Sequence, residues 1–173
     1  MGLIHVYCGD GKGKTTAALG LAMRASGAGM KVVIIQFLKG SDTAELKSLK
    51  KLSNITMLRN TKDLGFVGNM TPEQIETVTA MHNENLYKAL RLVNDGECDM
   101  LILDELTYAY DMKLVDVDRI DELLKHKPEH LELIVTGRNP ADIFVDNADY
   151  ITEMMAVRHP FDKGISARKG IEY

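Results

Sequence analysis

The chain has 173 residues, enough for one full hydrophobic core. An apolar fraction of 45% and a charged fraction of 27% are ordinary globular values, and a net charge of −4 without a basic run argues against a nucleic-acid partner. No signal-peptide pattern and no apolar run of membrane-spanning length occurs, so the expected location is cytoplasmic.

An apolar run, Leu3-Ile4-His5-Val6-Tyr7-Cys8, predicts the first strand, and Thr15 to Ser26 reads as a helix. Between them stands Gly9-Asp10-Gly11-Lys12-Gly13-Lys14-Thr15-Thr16. Strand, glycine-rich turn and helix together are the context of a phosphate-binding loop. The glycines let the backbone turn tightly and aim its N–H groups inward. The helix adds free N–H groups and the positive end of its dipole. Lys14 is placed to reach phosphate oxygens as a point charge, Lys12 is a second cation, and Thr15 offers a hydroxyl to a magnesium ion. The spacing departs from G-x-x-x-x-G-K-[ST]: its first glycine would fall on Cys8, and Gly9 and Gly11 occur instead. How a nucleotide lies along this loop is therefore open.

The helix stops at Gly27-Ala28-Gly29. Lys31 to Phe37 is a second strand with an unbroken apolar centre, as in a parallel sheet buried on both faces. A short helix, Thr43 to Lys51, and a third strand, Ile55 to Arg59, follow. Residues 60 to 70 form a loop carrying Leu64, Phe66 and Val67 among glycines. Thr71-Pro72-Glu73-Gln74 has the cap and the proline of a helix start. That longest helix should bury Ile75, Val78, Leu86, Ala89, Leu90 and Val93, with His82 as a polar position, and end near Gly96. Met100 to Leu103 is a fourth strand, followed by Asp104-Glu105 and a loop with Tyr108 and Tyr110. Then come a helix, Val117 to Lys125, a fifth strand, Leu131 to Val135, a short helix, Ala141 to Val145, and a last strand, Tyr150 to Met154. Cys8 and Cys98 sit at strand edges without metal-ligand spacing and read as buried free thiols. Strands alternating with helices imply one α/β domain over residues 1–173. It is P-loop NTPase-like (RecA-like), with a mostly parallel sheet and helices on both faces. Ligands gather at the carboxyl ends of such strands.

Two further positions fall at that edge. Asp104 and Glu105 end an apolar strand and would lie beside the phosphate loop, one strand over, where magnesium can use one or two carboxylates plus phosphates. Arg138, in Thr136-Gly137-Arg138, can reach polyphosphate in bidentate fashion. Gln36 and Lys39 end the second strand and could also line the cleft. On these residues alone a P-loop ATPase, a small-molecule kinase and a non-catalytic ATP-binding regulator all remain open.

Taken together, Gly9 to Thr16, Gln36-Phe37-Leu38-Lys39-Gly40, Leu103-Asp104-Glu105-Leu106, Thr136-Gly137-Arg138, His159-Pro160-Phe161-Asp162-Lys163-Gly164 and the closing Arg168 to Tyr173 resemble the P-loop ATP:corrinoid adenosyltransferases. The match runs from Gly2 to the C-terminus in the same order. It implies transfer of the 5′-deoxyadenosyl group of ATP to the Co(I) of a reduced corrinoid, with release of intact triphosphate, in adenosylcobalamin biosynthesis or salvage. It also implies Mg2+ or Mn2+, a homodimer and a reduced flavoprotein as electron donor.

Carried over by position, the resemblance assigns triphosphate binding to the loop from Gly9 through Asp10, Gly11, Lys12, Gly13 and Lys14 to Thr15 and Thr16. Lys14 stabilises the leaving triphosphate. Thr15 and Glu105 hold the metal, with Asp104 beside them or behind them, and Arg138 contacts phosphate or stabilises the site. Arg24 is a lesser candidate for ribose or corrinoid contacts. Phe66 falls on a hydrophobic loop that displaces the lower axial ligand of the corrinoid. Some relatives have a tryptophan two residues later, where this chain has Gly68, and an N-terminal extension over the corrinoid site, where this chain starts at its first strand. Both departures bear on corrinoid affinity and leave the nucleotide half untouched.

Overall fold

The computed structural model describes residues 1–40, 42–60, 65 and 67–173. The strands are β1 (Ile4–Cys8), β2 (Val32–Gln36), β3 (Ile55–Arg59), β4 (Met100–Asp104), β5 (Glu132–Thr136) and β6 (Tyr150–Glu153). The helices are α1 (Lys14–Gly27), α2 (Glu45–Leu49), α3 (Pro72–Asn94), α4 (Leu106–Asp111), α5 (Val117–Lys125) and α6 (Asp142–Asn147). The strands form one six-stranded sheet in the order β3-β2-β4-β5-β1-β6, and every pairing is parallel. All carboxyl ends therefore lie along one edge.

Every residue of β2 and β4 is buried, which is why their apolar runs do not alternate: each side chain meets a helical layer on one face or the other. On one face Ile34, Ile102 and Ile134 pack against Ala18, Ala22 and Ala25 of α1 and Leu49 of α2. The alanines let α1 lie close to the sheet, which holds its N-terminus at the strand ends. On the opposite face Ile35, Leu101, Leu103, Leu133 and Val135 meet Leu86 and Ala89 of α3, Leu106 of α4, Ile120 of α5 and Phe144 of α6. Each fully buried Leu or Ile contributes about 1.5–3 kcal/mol.

The capping box of α3 is present: Thr71 Oγ1 accepts from the Gln74 N–H at 3.3 Å, and the Thr71 N–H donates to Gln74 Oε1 at 2.8 Å. Ile75, expected in the buried stripe, is exposed. At 23 residues α3 is about 34 Å long against roughly 17 Å for a five-residue strand, so its first turns overhang the sheet. His82, expected as a polar position, is fully buried. It lies four residues from both Val78 and Leu86 on the inward face.

Residues 106–111, read as a loop, form α4. Threonine, tyrosine and aspartate are poor helix formers, but Leu106 and Ala109, one turn apart, are both fully buried, and that packing decides. The carboxylate strand is not next to β1: β5 lies between β1 and β4. Both cysteines are buried free thiols. Burial pushes the Cys98 thiol up to about 12. It also pushes the Cys8 thiol up, which disfavours the reactive thiolate.

Candidate active site at the carboxyl edge of the sheet

The turn after β1 owes its glycines to the end of β6. A Cβ on Gly9 or on Gly11 would meet the Met154 carbonyl oxygen at 2.6 Å. The Gly11 N–H donates to that same oxygen at 2.6 Å, and the Gly9 N–H donates to the Arg138 carbonyl at 2.9 Å. Cys8, by contrast, is the last residue of β1 and pairs in register with Glu153. The altered spacing thus has a local cause. Position 8 belongs to the sheet, and glycine is needed one and three residues later, where another strand end crosses. The N–H groups of Gly9 and Gly11 are committed to the loop's own architecture. Gly13, at φ 125°, turns the chain into α1.

Lys14, the first residue of α1, is buried, and its ammonium donates to the Gly9 and Gly11 carbonyls at 2.6 and 2.9 Å. Its charge is stored inside the loop, next to the cleft. Thr15 Oγ1 donates to Asp104 Oδ1 at 2.8 Å, tying the start of α1 to the end of β4 across the intervening strand. Thr136, at the end of β5, donates its hydroxyl to the same oxygen at 2.7 Å and accepts from the Glu105 N–H at 3.0 Å. Asp104 Oδ2 takes the Lys39 ammonium at 2.7 Å and the Gln36 amide at 3.3 Å. Asp104 is 1% exposed.

Glu105 has φ 62°, a left-handed backbone costly to a non-glycine residue. That conformation ends β4 and starts α4 at once, and it leaves the Glu105 side chain on the wall of the cleft. Gly137 is held by close approach: a Cβ there would lie 1.8 Å from Thr107 Oγ1. The path from Thr136 to Arg138 past α4 is open only to glycine.

These elements enclose a cleft of about 260 Å³ lined by residues 10–16, Glu105, Arg138, His159, Ile171 and Glu172. An adjoining cavity of about 700 Å³ between α1 and α2 shares Thr15, Thr16, Ile171 and Glu172 with it and adds Leu19, Met23, Leu49 and Tyr173. The C-terminal residues therefore form a common wall. Glu172 is held below the usual carboxylate range by its hydrogen bonds from Arg168.

The structure brings Asp10, Gly11, Lys12, Gly13, Lys14, Thr15, Thr16, Glu105 and Arg138 to one cleft, with Asp104 just behind. Arg138 is loosely held: its guanidinium is 3.9 Å from Asp10, and both side chains are mostly exposed, so the pair is weak and the arginine is available to a ligand. Arg24 lies in the last turn of α1, exposed, about 15 Å along the helix from Lys14, and lines neither cavity. Phe66 lies outside the described residues. Thr136, His159 and Ile171 were not singled out individually from the sequence; their only signal is membership of the Thr-Gly-Arg, His-Pro-Phe and closing segments.

Among the described residues no group of three His, Cys, Asp or Glu side chains comes together. The protein itself offers two carboxylates and a hydroxyl at this edge, all hard oxygens. That set fits a magnesium ion that completes its shell with phosphate oxygens and water. No helix among the described residues is long and apolar enough to cross a membrane.

A phosphate-binding loop entering α1, with an acidic strand end hydrogen-bonded to its threonine, defines an α/β protein of the P-loop class. Comparison with known proteins makes the class specific. Residues 1–173 match the family model for ATP:corrinoid adenosyltransferase BtuR/CobO/CobP, and the chain belongs to that family. It is 35% identical to the corrinoid adenosyltransferase of Escherichia coli (strain K12) over 99% of this chain and 86% of that one. It is 34% identical to corrinoid adenosyltransferase CobA of Salmonella typhimurium with the same coverage. A corrinoid adenosyltransferase of Pseudomonas aeruginosa is 32% identical over 99% of this chain and 84% of its own.

Proposed function

We propose that this chain transfers the 5′-deoxyadenosyl group of ATP to the Co(I) of a reduced corrinoid. The cobalt electron pair forms a bond to the ribose 5′-carbon, the carbon–oxygen bond breaks, and the triphosphate leaves with that bonding pair. The observation that carries the reading is the cleft itself. A buried ammonium, Lys14, lies within the loop, and beside it on the cleft wall is the Thr15 hydroxyl, braced from behind by Asp104. This arrangement suits the charge of a departing triphosphate.

Lys14 exchanges its two loop carbonyls for phosphate oxygens as the tail binds. Arg138 closes on the polyphosphate from the exposed side. Thr15 and Glu105 would hold Mg2+ or Mn2+, with Asp104 orienting the Thr15 hydroxyl from behind, and a bound divalent ion would neutralise part of the leaving group's charge. The cleft is small for a whole nucleotide, so the adenosyl group lies beyond it, where the corrinoid approaches. By the family resemblance Phe66 displaces the lower axial ligand of the corrinoid, and Arg24 remains a lesser candidate for ribose or corrinoid contacts.

The reading includes one domain over residues 1–173, a homodimer, a reduced flavoprotein donor and a cytoplasmic setting. The support for these is the family resemblance and, for the last, the lack of a spanning helix among the described residues. Incubation with chemically reduced corrinoid, ATP and magnesium tests the transfer. The expected result is the absorption spectrum of a light-sensitive alkyl-cobalt product, and its absence at full ATP consumption would reject the reading in favour of an ATPase.

A further inference from the structure

Asp104 is a saturated carboxylate. Its Oδ1 accepts from the hydroxyls of Thr15 and Thr136 at 2.8 and 2.7 Å. Its Oδ2 accepts from Lys39 Nζ at 2.7 Å and Gln36 Nε2 at 3.3 Å. A carboxylate has about four acceptor positions, and all are taken. Three of the four donors are neutral. A buried carboxylate with only neutral partners is costly, so the Lys39 ammonium is what makes the charge of Asp104 tolerable. That ammonium also lies 3.1 Å from Thr15 Oγ1. It thus touches both the hydroxyl assigned above to the divalent ion and the carboxylate that orients that hydroxyl.

The backbone that carries Lys39 is held by contacts separate from those of its side chain. Leu38 has φ 59°, and its N–H donates to His82 Nε2 at 3.2 Å. The Lys39 carbonyl accepts from Arg59 Nη2 at 3.1 Å. The side chain is 26% exposed, and its four-carbon stem can swing without moving the turn.

We propose that Lys39 is a resident counter-ion of the metal site: its ammonium neutralises Asp104 while the site lacks a divalent ion and withdraws when the ion arrives with the nucleotide. Lys39 thereby makes metal binding depend on nucleotide, because an ion arriving alone must displace a cation already in place. The inference rests on the reading above, in which Thr15 and Glu105 hold the metal and Asp104 orients the Thr15 hydroxyl.

Manganese binding, followed by the loss of the free-ion paramagnetic resonance signal, tests it with and without ATP. Wild-type protein is expected to bind Mn2+ weakly alone and tightly with ATP. Lys39→Met is expected to bind Mn2+ alone at least ~10-fold more tightly than wild type, to melt at a lower temperature in chelator, and to be restored by Mn2+. Lys39→Gln, which keeps a donor but no charge, must show the same gain. Nucleotide-free Mn2+ affinity unchanged or weaker in both variants would overturn the proposal. A loss of ATP affinity alone would do the same, by making Lys39 a phosphate ligand. Failure of wild-type protein to bind Mn2+ even with ATP would instead remove the metal reading itself, and this inference with it.

Discussion

Asp104 organises the candidate site without facing the cleft. Thr15, Thr136, Gln36 and Lys39 reach it from the start of α1, the end of β5, the end of β2 and the turn after β2. Lys14 is its counterpart on the cleft side, and its contacts within the loop make it both a structural and a chemical residue. Lys14→Ala is expected to lower adenosyl-transfer turnover at least ~10-fold with chemically made Co(I), through loss of a charge-assisted contact at the leaving group. A wild-type rate would remove Lys14 from that role.

His82 acts at the same scale by a different route. A backbone N–H can only donate, so His82 Nε2 accepts from Leu38, and Nδ1 donates to the Leu114 carbonyl at 2.8 Å. The ring is thus fixed neutral, and burial pushes its pKa below the usual histidine value. The unfolded chain takes up a proton that the fold refuses. The stability from His82 is therefore full above about pH 6.5 and declines as pH falls below it. Urea midpoints measured from pH 7.5 to 5.5 should fall more steeply for wild type than for His82→Leu. That variant should itself be about 1–3 kcal/mol less stable for the unpaired backbone groups it leaves. Parallel pH profiles would contradict this account of His82.

At the scale of elements, the strand–turn–helix unit was legible because its signals are local: glycines at the turn, lysine and threonine at the helix start, an apolar strand before them. The reason for its unusual glycine spacing was not, since it depends on Met154, 143 and 145 residues away from Gly11 and Gly9, arriving at the end of β6. Helix α4 was missed for a related reason. Four of its six residues have weak helix propensity, and it exists because Leu106 and Ala109 find the core on the face that α3 also covers. The roles of His82 and Lys39 likewise required knowing which turn packs under α3 and beside β4.

The segment from 60 to 70 carries its own expectation. If Phe66 displaces the lower ligand of the corrinoid, Phe66→Ala should impair reduction of Co(II) more than transfer from pre-formed Co(I). Stopped assays of the two half-reactions check this, and equal losses in both would discard the wedge.

For the whole molecule, the all-parallel sheet places every strand end at one edge. One edge can therefore gather a loop from β1, a carboxylate from β4, a hydroxyl from β5 and a lysine following β2. Apolar strand runs separated by helical segments were enough to anticipate that architecture, and with it the meeting of residues 10–16 with Asp104 and Glu105. They could not give the insertion of β5 between β1 and β4, because strand order is set by packing among helices distant in sequence. The chemistry proposed at this edge differs from that of a phosphoryl-transfer enzyme in one respect: the bond broken is at carbon, and every phosphorus–oxygen linkage survives. Phosphorus magnetic resonance of the mixture after one round of reaction reads that difference directly. Intact triphosphate in amounts equal to the adenosylated corrinoid is the result expected; ADP with inorganic phosphate in its place would contradict the account.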